Sequence, residues 1–281
     1  MIYILRLVQS FVKELGKRNV GAYAGSIAFF FLLSMIPLLI LISMALPLIG
    51  YTEQQFIQIL TAVIPEIVNA RVEVVIHEVY RLSNTVLPMT VVTLIWSCAR
   101  GMLGLMYGLN SVYNIKDDRS YFYLRLLATF YMLLLIVLFL IMLVLMVFGQ
   151  QIQMYLLHLL PSLGLIFGKV LQFRYAIVII AGVTILSLIY KLVPYENQPL
   201  VEQVPGACFT VVAWILFSKI FACFSTLSHY SLYYGSLAVL IVFMFWLYWC
   251  VYIILIGGYI NWYFRYVFRI WIRRTFKKIK D

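Results

Sequence analysis

Apolar residues in this chain gather into long runs, and the polar positions gather between them. A membrane-spanning helix needs roughly 20 apolar residues. Six runs reach or approach that length, at about 26–49, 86–109, 127–149, 175–193, 206–227 and 237–262. The third, LATFYMLLLIVLFLIMLVLMVFG, carries no charge and suits a helix facing lipid over much of its surface. The pattern predicts an all-α, polytopic membrane helix bundle with six transmembrane helices.

The stretches between and beyond these runs show helical periodicity of their own. Ile4, Leu7, Val8, Phe11 and Leu15 share one face of an N-terminal amphipathic segment within residues 1–25. In the 50–85 connection, Phe56, Ile57, Leu60, Val63 and Ile64 form a stripe. Pro65 can open a second helix in which Val72, Val75, Ile76 and Val79 align. Opposite them run Asn69, Glu73, His77 and Arg81, as a solvated face or a proton-responsive patch. The connection therefore reads as a helical hairpin. In the 263–281 tail, Arg265, Arg269, Arg273 and Lys277 recur every four residues among Phe264, Phe268, Trp271 and Phe276. All of these belong to one membrane domain spanning residues 1–281.

Composition agrees with the pattern. Of the 281 residues, 65% are hydrophobic and 11% charged, against about 25% charged in ordinary soluble domains. The net charge of +11 would raise nucleic acid as a partner in a soluble protein. Here the basic residues flank the spans instead. Arg6, Lys13, Lys17 and Arg18 precede the first run, and the basic tail follows the last. An even number of spans puts both termini on one side, which the positive-inside rule makes cytoplasmic. Lys116, Arg119 and Arg125 then fall inside, and the 50–85 hairpin with Glu53, Glu66, Glu73 and Glu78 falls outside. The tail aromatics read as interface anchors, so anionic lipid headgroups are the expected partner and nucleic acid is not. Cys98, Cys208, Cys223 and Cys250 all lie in apolar runs and read as small buried apolar residues. The first 25 residues show no signal-peptide core or cleavage site.

Two cations interrupt the runs. Arg100, in LIWSCARG, and Lys219, in WILFSKIF, both sit near mid-span. A cation there costs roughly 2.5–3.5 kcal/mol on insertion scales and seeks protein or water. No Asp or Glu lies within the six runs, so the partner is carbonyls, water or a bound anion; the alternative is a long side chain snorkelling to the interface. Ser34, Trp96, Ser97, Arg100, Asn110, Ser218, Lys219 and Asn261 are the candidates for a polar cavity or substrate contact. Pro37 and Pro47 are expected to kink the first span or break it into half-helices. Gly101, Gly104, Gly108, Gly257 and Gly258 offer close helix approach.

Enzyme chemistry finds little footing. His77, His158 and His229 show no HExxH spacing, and no phosphate-binding glycine loop is present. No catalytic residue, metal or cofactor is expected.

Four stretches carry a family resemblance: AGSIAFFFLLSMIPLL from Ala24, LIWSCARGMLGLMYGLNSVYN from Leu94, YKLVPYENQPLVEQVPGACFTVVAWILFSKIF from Tyr190, and YYGSLAVLIVFMFWLYWCVYIILIGGYIN from Tyr233. In order and spacing they resemble the YihY/BrkB membrane family, once labelled ribonuclease BN. The resemblance implies six helices in the bacterial cytoplasmic (inner) membrane. It marks Pro37, Pro194, Pro205, Gly206, Tyr234, Gly235 and Gly257 as structural motif positions, and Ser34, Trp96, Ser97, Asn110, Ser218 and Asn261 as recurrent polar or aromatic ones. Where the family often reads Gly-Ala-Glu-x-Asn, this chain has Gly257-Gly258-Tyr259-Ile260-Asn261, and the carboxylate is gone. The expected function is transport, or lipid or anion handling, through a polar cavity. The alternative is a membrane scaffold or envelope-maintenance protein, acting as a homo-oligomer or with an envelope partner.

Overall fold

The computed structural model describes residues 2–45, 86–159, 172–227 and 236–265, with isolated positions at 54, 162, 168, 169 and 267. Among the described residues every regular element is a helix, and there is no strand. The helices are α1 (Ile2–Lys17), α2 (Val20–Ala45), α3 (Val86–Tyr113), α4 (Tyr121–Leu159), α5 (Arg174–Leu192), α6 (Leu200–Leu227) and α7 (Ser236–Tyr263). The predicted 50–85 hairpin, Pro47, Tyr234, Gly235 and almost all of the basic tail lie outside the described residues.

Among the described residues, four helices are long and apolar enough to cross a membrane, within Pro88–Tyr113, Tyr121–Leu138, Leu200–Cys223 and Leu240–Tyr263. Val20–Met35 and Ala176–Leu192 are shorter apolar helices. Along α4, Phe122, Leu126, Phe130, Leu133 and Val137 are exposed at helical spacing, while Leu124 and Ala128 face inward. An apolar stripe pointing outward is costly in water and favourable against hydrocarbon.

Three expectations need correcting. α2 runs unbroken from Val20 to Ala45 with Pro37 inside it, so Pro37 does not split the span into half-helices. A proline removes one backbone donor, and the surrounding turns continue the helix past it. α6 begins at Leu200, not 206, which brings Glu202 and Gln203 into its first turns. Of the four cysteines only Cys98 is fully buried, while Cys208 and Cys223 are exposed on apolar helix surface. In a helix surrounded by lipid, an apolar residue has no need to point inward.

The chain forms two compact units. One comprises Gly21–Leu105 and Phe217–Tyr252. In it, α2 packs on α3 through the missing side chains of Gly101 and Gly104. A Cβ at Gly101 would lie 2.6 Å from the Phe31 ring, and one at Gly104 would lie 2.8 Å from Ile27. Phe217, Phe221, Phe245 and Trp249 stack α6 against α7, with Trp249 5.5 Å from Tyr252 between ring centroids.

The other unit comprises Met1–Val20, Met106–Leu216 and Ile253–Asp281. α3 leads into α4 through the loop 114–120, and α5 leads into α6 through the loop 193–199. Asn19 and Asn114 adopt left-handed backbone at φ 52° and 59°, a conformation Asn tolerates, and they turn the chain after α1 and α3. Phe11 of α1 lies edge-on to Tyr259 and Tyr263, and the Tyr259 hydroxyl donates to the Phe11 carbonyl at 3.2 Å.

Candidate functional site

Where α6 and α7 cross in this second unit, two glycines face each other. The Gly206 N–H donates to Asn261 Oδ1 at 2.7 Å, and Asn261 Nδ2 donates to the Gln203 carbonyl at 3.1 Å. Pro205 has no N–H to give the Val201 carbonyl, and the neighbouring Gly206 N–H reaches across to the other helix. Thr210 returns its hydroxyl to the Gly206 carbonyl at 2.8 Å. Tyr190 of α5 completes the knot. Its hydroxyl donates to the Ile254 carbonyl at 2.8 Å and lies 2.8 Å from Thr210 Oγ1. Tyr190, Thr210 and Asn261 are buried, so every one of these bonds replaces water that is not there.

Beside this crossing lies a small polar cleft of about 70 Å³. It is lined by Tyr113 and Ile115 after α3, Glu196 and Gln198 before α6, Glu202 and Gln203 on α6, and Asn261, Trp262 and Arg265 on or just past α7. Gln203 is 2% exposed, and its Oε1 accepts from the Tyr113 hydroxyl at 2.6 Å. Glu202 is nine-tenths buried. Glu196 and Arg265 stand exposed at the rim. The cleft is thus lined by neutral hydrogen-bonding amides, a buried carboxylate and charged side chains of both signs at exposed positions.

Two further clusters hold the surroundings. Arg18 donates to Asn114 Oδ1 at 2.6 Å and to the Ser111 carbonyl at 3.3 Å, with its guanidinium 4.6 Å over the Trp262 ring. In the 114–120 loop, Asp117 accepts from Arg119 at 2.6 and 2.8 Å and from Asn110 Nδ2 at 2.8 Å. Asn110 Oδ1 in turn accepts from the Tyr195 backbone N–H at 2.8 Å, tying the loops 114–120 and 193–199 together. Burial pushes the Asp117 carboxyl up, but the Arg119 hydrogen bonds and charge, aided by the Asn110 amide, outweigh it and hold the carboxyl below its ordinary value. Hydrogen bonding to Asp117 raises Arg119.

A depressed folded-state carboxylate gives stability above its unfolded value, near pH 4, that is lost as the pH falls through the lower folded value. Asp117→Asn is therefore expected to lower the melting temperature of the purified protein near neutral pH. The gap to the native protein should close in melts taken below about pH 4. A constant gap across pH would remove the ion pair from the account.

The sequence candidates scatter. Asn261 lines the cleft. Asn110 is buried, but both ends of its amide are spent on the two loops. Ser34 is buried and donates to the Phe31 carbonyl at 2.7 Å, within its own helix. Ser97 is buried, whereas Trp96 is 60% exposed. Arg100 is half-buried, on the same α3 stripe as Thr93 and Trp96, with its guanidinium 5.7 Å from the Phe30 ring centroid. Ser218 and Lys219 are exposed. Glu202, Gln203, Gln198, Tyr113, Trp262 and Arg265 were not candidates; all but Trp262 lie outside the apolar runs. One signal for them was present: Gln203, Ala207 and Thr210 recur at helical spacing, and all three are buried. Among the described residues, no three His, Cys, Asp or Glu side chains gather as a metal site.

The profile of the family described as virulence factor BrkB matches residues 11–275. The chain belongs to the BrkB family. With several apolar helices as well, this BrkB family member is a multi-pass membrane protein. It is also similar to the ribonuclease-like protein YfkH of Bacillus subtilis (strain 168). The two are 28% identical over 258 residues, covering 90% of this chain and 94% of the relative. No solved structure matches.

Proposed function

We propose that this BrkB family member is a six-span protein of the bacterial cytoplasmic membrane, with both termini inside. It would pass or present a small polar solute or lipid headgroup, without enzymatic chemistry. The observation that carries the reading is the polar cleft, set where α3 and α7 end and α6 begins. Buried Gln203 and Asn261 beside it supply hydrogen-bonding groups of the kind that hold a polar ligand in an apolar protein. The basic flanks favour a cytoplasmic position for that end. The ribonuclease-like name of the Bacillus relative would ask for catalytic groups, and the lining of the cleft offers two carboxylates without a histidine.

The second reading is a scaffold. It draws on the locked Asn110–Asp117–Arg119–Tyr195 network, which favours a bundle end that does not move.

The test is aqueous access. With the four native cysteines replaced, Gln198→Cys and Arg100→Cys are labelled in sealed vesicles by membrane-impermeant reagents from each side. Leu134→Cys, on the exposed stripe of α4, serves as the lipid control. The transport reading expects position 198 to label from the cytoplasmic side and position 100 to label from at least one side. A folded protein whose position 100 is silent from both sides would favour the scaffold.

A further inference from the structure

We infer that the cleft takes a small zwitterion, an ammonium joined by a short link to a phosphate or carboxylate. The inference rests on the reading of the cleft as a ligand site. Its argument begins from charge. The whole chain carries +11, yet the ionisable side chains lining the cleft are Tyr113, two carboxylates, Glu196 and Glu202, and one guanidinium, Arg265. A bare anion, which the mid-span cations alone would suggest, meets two like charges here. A bare cation meets Arg265. A zwitterion satisfies both signs at once.

Geometry supports the same class. The carboxylates come from the start of α6 and the loop before it, and the guanidinium from just beyond α7, so opposite charges stand on different elements around one opening. Between them lie the amides of Gln198, Gln203 and Asn261, each of which gives one N–H to a backbone carbonyl and keeps the second for an occupant. At about 70 Å³ the cleft has room only for a small group, not for a large solute. Glu202 and Arg265 engage other protein groups already, so the occupant exchanges for those contacts rather than filling bare charges. This fits a ligand held moderately and released.

The same chemistry occurs in a free amino compound and in an ethanolamine phospholipid headgroup, and the experiment separates the two. The full-length protein is placed in nanodiscs of phosphatidylglycerol, and phosphoethanolamine, ethanolamine and inorganic phosphate are titrated calorimetrically. Phosphoethanolamine is expected to bind at least roughly tenfold more tightly than either half. Glu196→Gln and Arg265→Gln, at exposed rim positions that leave the buried floor untouched, should each weaken it by a similar factor. Lys219→Gln, far along α6, should not. Repeating the titration with phosphatidylethanolamine in the disc identifies the source: loss of soluble binding means that the headgroup occupies the cleft, and unchanged binding means a free solute.

Phosphate or ethanolamine alone binding as tightly as the zwitterion overturns the inference. So does an absence of binding by folded protein in phosphatidylglycerol discs. If positions 198 and 100 label but nothing zwitterionic binds, the ligand class fails and the transport reading stands. Zwitterion binding with position 100 silent leaves the ligand class and removes the transport path.

Discussion

Gly206→Ala should sharply destabilise this protein at the α6–α7 crossing. A Cβ there would run into the Gly257 carbonyl oxygen and come within 2.5 Å of Asn261 Oδ1. The first obstacle is backbone, which cannot turn aside as a side-chain tip does. Relief requires the two helices to part, and parting them loosens the Tyr190 and Thr210 hydrogen bonds as well. Overpacking of this kind costs about 3 kcal/mol, the upper end of the usual range. The melting temperature in detergent should fall by roughly 10 °C. Gly25 gives the control, since a Cβ there meets nothing within 4 Å. Equal melts for Gly25→Ala and Gly206→Ala would mean that the crossing is looser than described.

Asn261→Ala should be about as damaging, for a different reason. It empties a fully buried side-chain position and removes the bonds that Asn261 makes to the Gly206 N–H and the Gln203 carbonyl inside the bundle. Each lost buried hydrogen bond costs about 0.5–1.5 kcal/mol and the emptied volume adds to it, so a loss of about 3 kcal/mol is expected. The two substitutions also share a contact, because the new methyl at 206 points at the amide removed at 261. The double variant Gly206→Ala/Asn261→Ala should therefore melt higher than the sum of the single losses predicts, by about 1 kcal/mol in a thermodynamic cycle. Strict additivity would show that Asn261 and Gly206 do not meet in the folded protein.

How far the sequence reaches depends on what sets each feature. α5 and α7 fall within one residue of the runs 175–193 and 237–262, because apolar content alone decides where such helices start and stop. The start of α6 was six residues out. Glu202 and Gln203 look like loop residues to a hydropathy reading, and Pro205 looks like a helix opening, yet cross-helix bonds to Asn261 and Tyr113 support them inside the helix. Those partners lie 55 and more residues away in the chain and leave no local trace. Asn261 was legible through the family resemblance, which marks it as a recurrent polar position. Arg100 drew notice for its charge, but its described neighbour is an aromatic face, not a polar pocket. The residues that build the cleft are ordinary polar residues at helix ends, and only their convergence distinguishes them.

The shortness of α5 bears on how the molecule is made. Its apolar stretch, Ala176–Leu192, is among the weaker candidates for a span, and Arg174 and Lys191 sit at its two ends. α4 ahead of it is long and greasy enough to stay in the bilayer on its own. α5 emerges from the ribosome before α6 and α7 exist, and its anchor at Tyr190 needs Thr210 and the Ile254 carbonyl. Under the six-span reading, the nascent chain holds α5 only loosely at the translocon until the last helix arrives. Biogenesis of this end of the bundle is then a single late event, and a chain truncated before residue 254 would leave α5 without its clasp.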